Sequence, residues 1–165
     1  MAERSLNRAW LLTGGNMGNR SEFLQKAREA LELSCGKILK ASSLYETAAW
    51  GRQDQPAFLN QALLLQTKLS AEALLGKILQ IERELGRERD QKYGPRTLDI
   101  DILLFNDDII DTEKLVVPHP QLPLRRFALM PLAEISGGKR HPFLEKTITE
   151  LLAQCPDPLD VQKLE

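Results

Sequence analysis

Two carboxylates, Asp99 and Asp101, stand one residue apart inside the run Leu98 to Phe105 (LDIDILLF), whose other members are all apolar. Side chains alternate across a strand, so the two acids share one face while Ile100, Ile102 and Leu104 are expected on the other. Ionised carboxylates this close repel each other, and burying them unpaired is costly, so something positive must sit against them. A divalent cation is one candidate. Magnesium takes a few hard oxygen ligands and completes its shell with water and substrate phosphates. An acidic pair at a sheet edge, solvated or bridged to arginine, is the alternative. The segment just upstream, RERDQKYGPR, holds Arg87, Arg89, Lys92 and Arg96. Cations for phosphate beside carboxylates for magnesium make the pattern of a polyphosphate site, whereas a solvated loop would pair these cations with Glu88 and Asp90.

Other residues carry weaker signals. Glu82 lies at the margin of an apolar helical face, where it either snorkels outward or meets a ligand such as a ribose or base. His119 sits between prolines in VPHP, with no ligand-spaced partner for a metal; it is structural, or it meets phosphate oxygens together with Lys114, Arg125 and Arg126. Phe58 and Asn60 share a strand face, which suits either core packing with a hydrogen-bonded edge or recognition of a flat heterocycle. The stretch GGNMG, Gly14 to Gly18, lacks both the G-x-G-x-x-G spacing and a P-loop lysine, so it reads as tight-turn glycines.

The elements that must position these groups follow from periodicity. Arg8 to Thr13 reads as a buried strand ending at Gly14. Asn19 and Glu22 have capping-box spacing ahead of a helix bearing Phe23, Ala27, Ala30 and Leu31, stopped at Gly36. Ile38 to Tyr45 and Phe58 to Leu69 read as strands joined by the long segment ETAAWGRQDQP. Ser70 caps a second helix with Leu74, Leu75, Ile78, Ile81 and Leu85 on one face, closed by Gly86. Leu98 to Phe105 follows as a strand, and Asn106-Asp107-Asp108 turns the chain into a short partner at Ile109 to Asp111. The order β-α-β-β-α-β predicts an α+β fold with a ferredoxin-like core: a largely antiparallel sheet with its helices on one face, and a C-terminal extension. In that extension a helix from about Arg125 to Leu129 is expected to be disrupted by Pro131, and a last helix to start at Thr147, with Glu150 completing a capping box.

Composition bounds the class. At 165 residues and 42% hydrophobic content, one domain spanning 1–165 buries a core without disulfides. Two cysteines, Cys35 and Cys155, form neither a disulfide framework nor a zinc cluster and suit a reducing compartment. No stretch is long enough for a signal peptide or membrane span, so a cytoplasmic protein without a membrane partner is expected. With 22 basic and 23 acidic residues, the net charge of -1 argues against nucleic acid as a partner.

Three stretches, YETAAWGRQDQPAFLN, IERELGRERDQKYGPRTLDIDILLF and VVPHPQLPLRRFALMPL, resemble the successive motifs of the 6-hydroxymethyl-7,8-dihydropterin pyrophosphokinase family. The resemblance runs from the first strand to the helix after His119 and weakens after about Ile135. It implies an ATP-dependent diphosphotransferase of folate biosynthesis, monomeric, acting on ATP and the pterin with two magnesium ions. On this resemblance Asp99 and Asp101 are the metal ligands, and Arg87, Arg89 and Arg96 belong to a catalytic loop. Glu82, Ile102, Lys114, His119 and Arg125, with Arg89 and Arg96, would contact ATP. Thr47, Ala48, Trp50, Phe58, Asn60, Tyr93, Asp99 and Phe127 would line the pterin pocket, the ring sandwiched between aromatic faces. Relatives usually have proline at or next to Ala49, some carry arginine at the position of Lys114, and a small residue is expected where Arg126 stands. Two rivals remain. One is a non-catalytic ferredoxin-like module binding RNA or a regulatory ligand, which would want exposed aromatics and no acidic pair. The other is a nucleotidyltransferase with the same two-carboxylate chemistry, which would release inorganic pyrophosphate instead of AMP.

Overall fold

A computed structural model of the chain describes residues 6–16, 18–47, 57–86 and 98–164. Strand β1 (Asn7–Gly15) pairs with β4 (Phe58–Thr67) on one side and with β5 (Asp99–Phe105) on the other, both antiparallel. Strand β4 also pairs with β2 (Gly36–Ala41) along one half and with β3 (Tyr45–Thr47) along the other. Helix α1 (Arg20–Ser34) connects β1 to β2, and α2 (Ala71–Gly86) connects β4 to β5, which gives the expected βαββαβ core.

Both faces of the sheet are covered. On one, Leu24, Ala27 and Leu31 of α1 and Leu74, Ile78 and Ile81 of α2 pack on Ala9, Leu11, Leu63 and Leu65. On the other, Trp10, Leu12, Ala62 and Leu64 meet two helices of the extension, α3 (Arg126–Ser136) and α4 (Ile148–Ala153). The core helices thus share one face, as expected, and the extension closes the second. A strand buried on both faces needs apolar residues at every position, hence the unbroken run in β1.

Local chemistry explains the boundaries. Asn19 Oδ1 accepts the Glu22 N–H at 3.2 Å at the start of α1. Ser70 Oγ accepts from Ala73 N–H at the start of α2. Thr147 and Glu150 form the full reciprocal capping box ahead of α4. Gly36 is dictated by proximity, since a Cβ there would stand 2.0 Å from the Gln66 carbonyl oxygen.

Four expectations need correction. The strand foreseen at Ile38 to Tyr45 is two strands: Ser42 Oγ accepts the Ala62 N–H at 2.9 Å, so a side chain takes a place in the ladder and interrupts it. Leu104 does not share a face with Ile100 and Ile102. A bulge at Leu103, where Trp10 opposes Leu104 and Leu11 opposes Ile102, reverses the alternation and puts Leu104 on the α3 side. Asn106, at φ 52°, does turn the chain, but β6 (Ile110–Asp111) pairs with β7 (Val116–Val117) in a separate two-stranded sheet. Pro131 does not end α3. It removes the donor for the Phe127 carbonyl, and burial of Leu129, Leu132 and Ile135 against the sheet, each worth roughly 2 kcal/mol, carries the helix on to Ser136. Two strands were not foreseen: β7, and β8 (Val161–Lys163), which adds to the free edge of β3. Among the described residues no helix is long and apolar enough to cross a membrane.

Candidate active site

The strand order β5-β1-β4-β3-β8 places one rung of side chains across the sheet on its α3 face. Asp99 of β5 lies opposite Gly14, Gly14 opposite Asn60, and Asn60 opposite Tyr45. Asp101 lies opposite Leu12. Gly14 leaves its place on the rung to a neighbour, because a Cβ there would stand 2.1 Å from Asn60 Nδ2. The Asn60 amide therefore lies across β1, donating to the Thr13 carbonyl at 3.2 Å. Within GGNMG only Gly18, at φ +66°, meets the left-handed demand of a tight turn; Gly14 and Gly15 belong to β1.

Above this rung opens a cavity of about 610 Å³, within the size range of small-molecule sites. Asp99 and Asp101 line one end, and Thr47, Phe58, Asn60 and Phe127 line the other. Gln121, Leu124 and Arg125 approach from the segment before α3. The Arg125 guanidinium lies 5.6 Å from the centroid of the Phe127 ring, within cation–π range. Thr47 is only 3% exposed, and its hydroxyl has no hydrogen-bond partner among the described residues. A buried polar atom left in this condition is costly unless a ligand supplies the bond.

Several groups stand beside the cavity without lining it. The His119 backbone N–H donates to the Leu103 carbonyl at 2.9 Å, and the ring Nδ1 accepts from Gln121 N–H at 3.1 Å, which leaves the proton of the neutral ring on Nε2. Burial lowers the His119 pKa below its ordinary value; the Asp101 carboxylate opposes that shift and the Arg125 charge adds to it. Glu82 reaches from α2 around the sheet edge, and its Oε2 accepts the Ile100 N–H at 2.7 Å. It ties down the strand segment between the two aspartates. Ile102, 4% exposed, packs its side chain into the α1/α2 core. Lys114 is exposed in the connection between β6 and β7 and lines no part of the cavity. Ala48, Trp50, Arg87, Arg89, Tyr93 and Arg96 lie outside the described residues.

Lining groups that the sequence reading missed include Gly14, Gln121, Leu124 and the stretch Pro156 to Leu159. The last had one local signal: the prolines flanking Asp157 impose extended backbone, although nothing local says where that segment docks.

The acidic end suits a hard cation. Among the described residues no group of three or more His, Cys, Asp or Glu side chains could enclose a metal, so a cation at Asp99 and Asp101 would have to draw further oxygens from water or substrate. Magnesium accepts this arrangement and zinc in a closed structural site does not.

Fold and cleft together define a ferredoxin-like α+β domain with a small-molecule site, acidic at one end and aromatic and amide-bearing at the other. A family model described as 7,8-dihydro-6-hydroxymethylpterin-pyrophosphokinase (HPPK) matches residues 10–137, and the chain belongs to that family. A 2-amino-4-hydroxy-6-hydroxymethyldihydropteridine pyrophosphokinase of Bacillus subtilis is 47% identical over 130 residues, covering 78% of each chain. The enzyme of the same name from Aquifex aeolicus is 44% identical over 141 residues, covering 86% of this chain and 88% of its own. Among solved structures, wild-type Plasmodium falciparum HPPK-DHPS with STZ-DHP superimposes with a TM-score of 0.75 at 19% identity. That match covers 93% of this chain and 44% of the solved one, and it bears on the fold alone.

Proposed function

We propose that the cleft transfers diphosphate from ATP to the hydroxymethyl group of 6-hydroxymethyl-7,8-dihydropterin, giving the pterin diphosphate and AMP in folate biosynthesis. The observation that carries this reading is that one cavity joins the acidic pair to Thr47, Phe58, Asn60 and Phe127, in a chain of the pyrophosphokinase family.

In this reading the pterin lies at the aromatic end, its faces against Phe58, Phe127 and, from outside the described residues, Tyr93. Asn60 and the unpartnered Thr47 hydroxyl supply edge hydrogen bonds, with Ala48 and Trp50 completing that wall. The pterin hydroxyl attacks the β-phosphorus of ATP in line, the bond from that phosphorus to the α,β-bridging oxygen breaks, and AMP leaves. The hydroxyl proton is one that a carboxylate such as Asp101 can accept. Two magnesium ions held by Asp99 and Asp101 would supply charge neutralisation on the phosphate oxygens. Arg87, Arg89 and Arg96 add positive charge at the polyphosphate, and Arg125, His119 and Lys114 meet the nucleotide side. Glu82 holds the β5 backbone between the metal ligands, and Ile102 anchors the same strand from the core side. Positioning dominates, because phosphoryl-type transfer asks little covalent chemistry of the protein. Residues 1–165 read as a single pyrophosphokinase domain, acting as a monomer in the cytoplasm.

The test is an incubation with ATP, magnesium and the pterin, with nucleotides resolved by chromatography. AMP that forms only when pterin and magnesium are both present is the expected result. Release of inorganic pyrophosphate in place of AMP would establish nucleotidyl transfer instead, and no pterin-dependent product from folded protein would refute both.

A further inference from the structure

The wall of the cavity formed by Pro156 to Leu159 lies beyond the residues that the family model matches, and it is held by unusually specific bonds. Arg126, standing where a small residue is expected, donates from Nε to the Asp157 carbonyl at 3.2 Å and from Nη2 to the Cys155 carbonyl at 3.1 Å. Its backbone N–H, an orphan donor at the start of α3, reaches Asp157 Oδ2 at 3.1 Å. The other oxygen, Oδ1, accepts from Leu159 N–H at 2.9 Å and folds the strap on itself. Thus one arginine and one aspartate fix both the path of the strap and the first turn of α3, where Phe127 follows directly.

The far end of the strap is fixed as well. Val161 of β8 lies opposite Thr47 of β3, and Leu164 N–H donates to the Leu44 carbonyl at 2.8 Å. So the strap spans the aromatic end of the cleft, from the helix turn that carries Phe127 to the strand that carries Thr47. The acidic strand β5 is the opposite edge of the sheet.

We propose that Arg126 is a positioning residue for heterocycle recognition: by clamping Asp157 it holds the Pro156 to Leu159 strap as a wall of the pterin end, setting affinity for the heterocycle and leaving the phosphate chemistry alone. The proposal rests on the assignment of the aromatic end to the pterin given above. A guanidinium is needed because its fork satisfies two carbonyls at once, which an ammonium on a flexible stem does not reproduce. Asp157 is needed as an acceptor more than as a charge, since both of its oxygens take backbone N–H groups.

The test compares wild type with Arg126→Met, Asp157→Ala and Asp157→Asn, using steady-state kinetics for both substrates, calorimetric pterin binding without ATP, and thermal melts. Arg126→Met and Asp157→Ala should raise the pterin KM and Kd about tenfold while kcat and the ATP KM stay within about threefold. Asp157→Asn, which keeps one acceptor oxygen but sets an NH2 donor against the other backbone N–H, should raise the pterin KM and Kd by about three- to tenfold, again with kcat and the ATP KM within about threefold. If Arg126→Met fails to fold, Asp157→Ala carries the test. Folded variants with an unchanged pterin Kd, or with a loss confined to kcat, would overturn the proposal and leave the activity standing. A wild type that neither binds pterin nor forms AMP from it would overturn the activity assignment and this proposal together.

Discussion

The acidic end of the cleft comes from one stretch of chain, whereas the aromatic end is assembled from four. Asp99 and Asp101 are two residues apart on β5, and the strand's own pleat aims them together. Thr47, Phe58, Asn60 and Phe127 come from β3, β4 and α3, and the strap that closes over them comes from the last tenth of the chain. A local site tolerates rearrangement elsewhere because its geometry is carried by a single strand. A composite site depends on every packing contact that sets one element against another. The acidic end should therefore respond chiefly to changes in its own strand and in the Glu82 tie that holds it, and the aromatic end to changes in several elements at a distance.

The largest expected effect tests the local end. Asp99→Ala and Asp101→Ala should each lower kcat about a thousandfold or more, since neutralising the phosphate charge is worth several kcal/mol and each 1.36 kcal/mol is tenfold in rate. Pterin binding measured without ATP should change much less for Asp101→Ala, whose residue lies further along β5 from the Asn60 rung. Near-normal turnover in either variant would remove the metal assignment.

This contrast also governs what could be read from the residues alone. The spacing of Asp99 and Asp101, the capping box at Thr147 and the helical face of α2 are short-range patterns, and each stands where the periodicity put it. Failures came where a long-range contact overrode a local rule. Leu104 changed faces through a bulge fixed by pairing with β1, and α3 ran through Pro131 because its buried face outweighed one lost hydrogen bond. The role of Gly14 was hidden for the same reason. Its local neighbours suggest a turn, but the demand for glycine comes from Asn60 on another strand. The strap could not be placed by any local reading, since its position depends on Arg126, 31 residues from Asp157.

Gly14→Ala tests the composite end through one of these hidden contacts. The added methyl would displace the Asn60 amide, which is buried and bonded to the Thr13 carbonyl. Losing a well-placed buried hydrogen bond costs about 1–3 kcal/mol, so pterin affinity should fall roughly 10- to 100-fold. ATP affinity should hold within about threefold, since the nearest atoms the methyl meets belong to Asn60 and Leu59 and not to Asp99 or Asp101. Equal losses for both ligands in calorimetry would mean that the two ends are mechanically one site and would break the comparison.

The smallest expected effect comes from Glu134, which is not in the cleft but joins the elements around its aromatic end. From α3 it accepts the Tyr45 hydroxyl at 2.6 Å, the Ser43 N–H at 3.1 Å and the Ser43 hydroxyl at 3.2 Å, with Lys163 of β8 at 4.0 Å. Burial tends to raise its pKa, but the hydrogen bonds from Tyr45 and Ser43 and the charge of Lys163 outweigh burial and hold it below the ordinary carboxyl value. Because the folded state favours the ionised form, the stabilisation is present in full above the unfolded carboxyl pKa of about 4.3 and fades as pH falls through the lower folded value. Glu134→Gln should lower Tm at pH 7 by about 2–4 °C, corresponding to roughly 1 kcal/mol for a partly exposed group in a domain of this size. The gap to wild type should close as melts are taken from pH 7 down to pH 3, because the wild-type carboxyl becomes neutral over that range. Pterin affinity should weaken about twofold as β3 and α3 loosen against each other, with kcat unchanged. A gap in Tm that persists undiminished at pH 3 would show that shape and not charge holds α3 to β3, and the aromatic end would then owe its geometry to packing and to the Arg126 clamp.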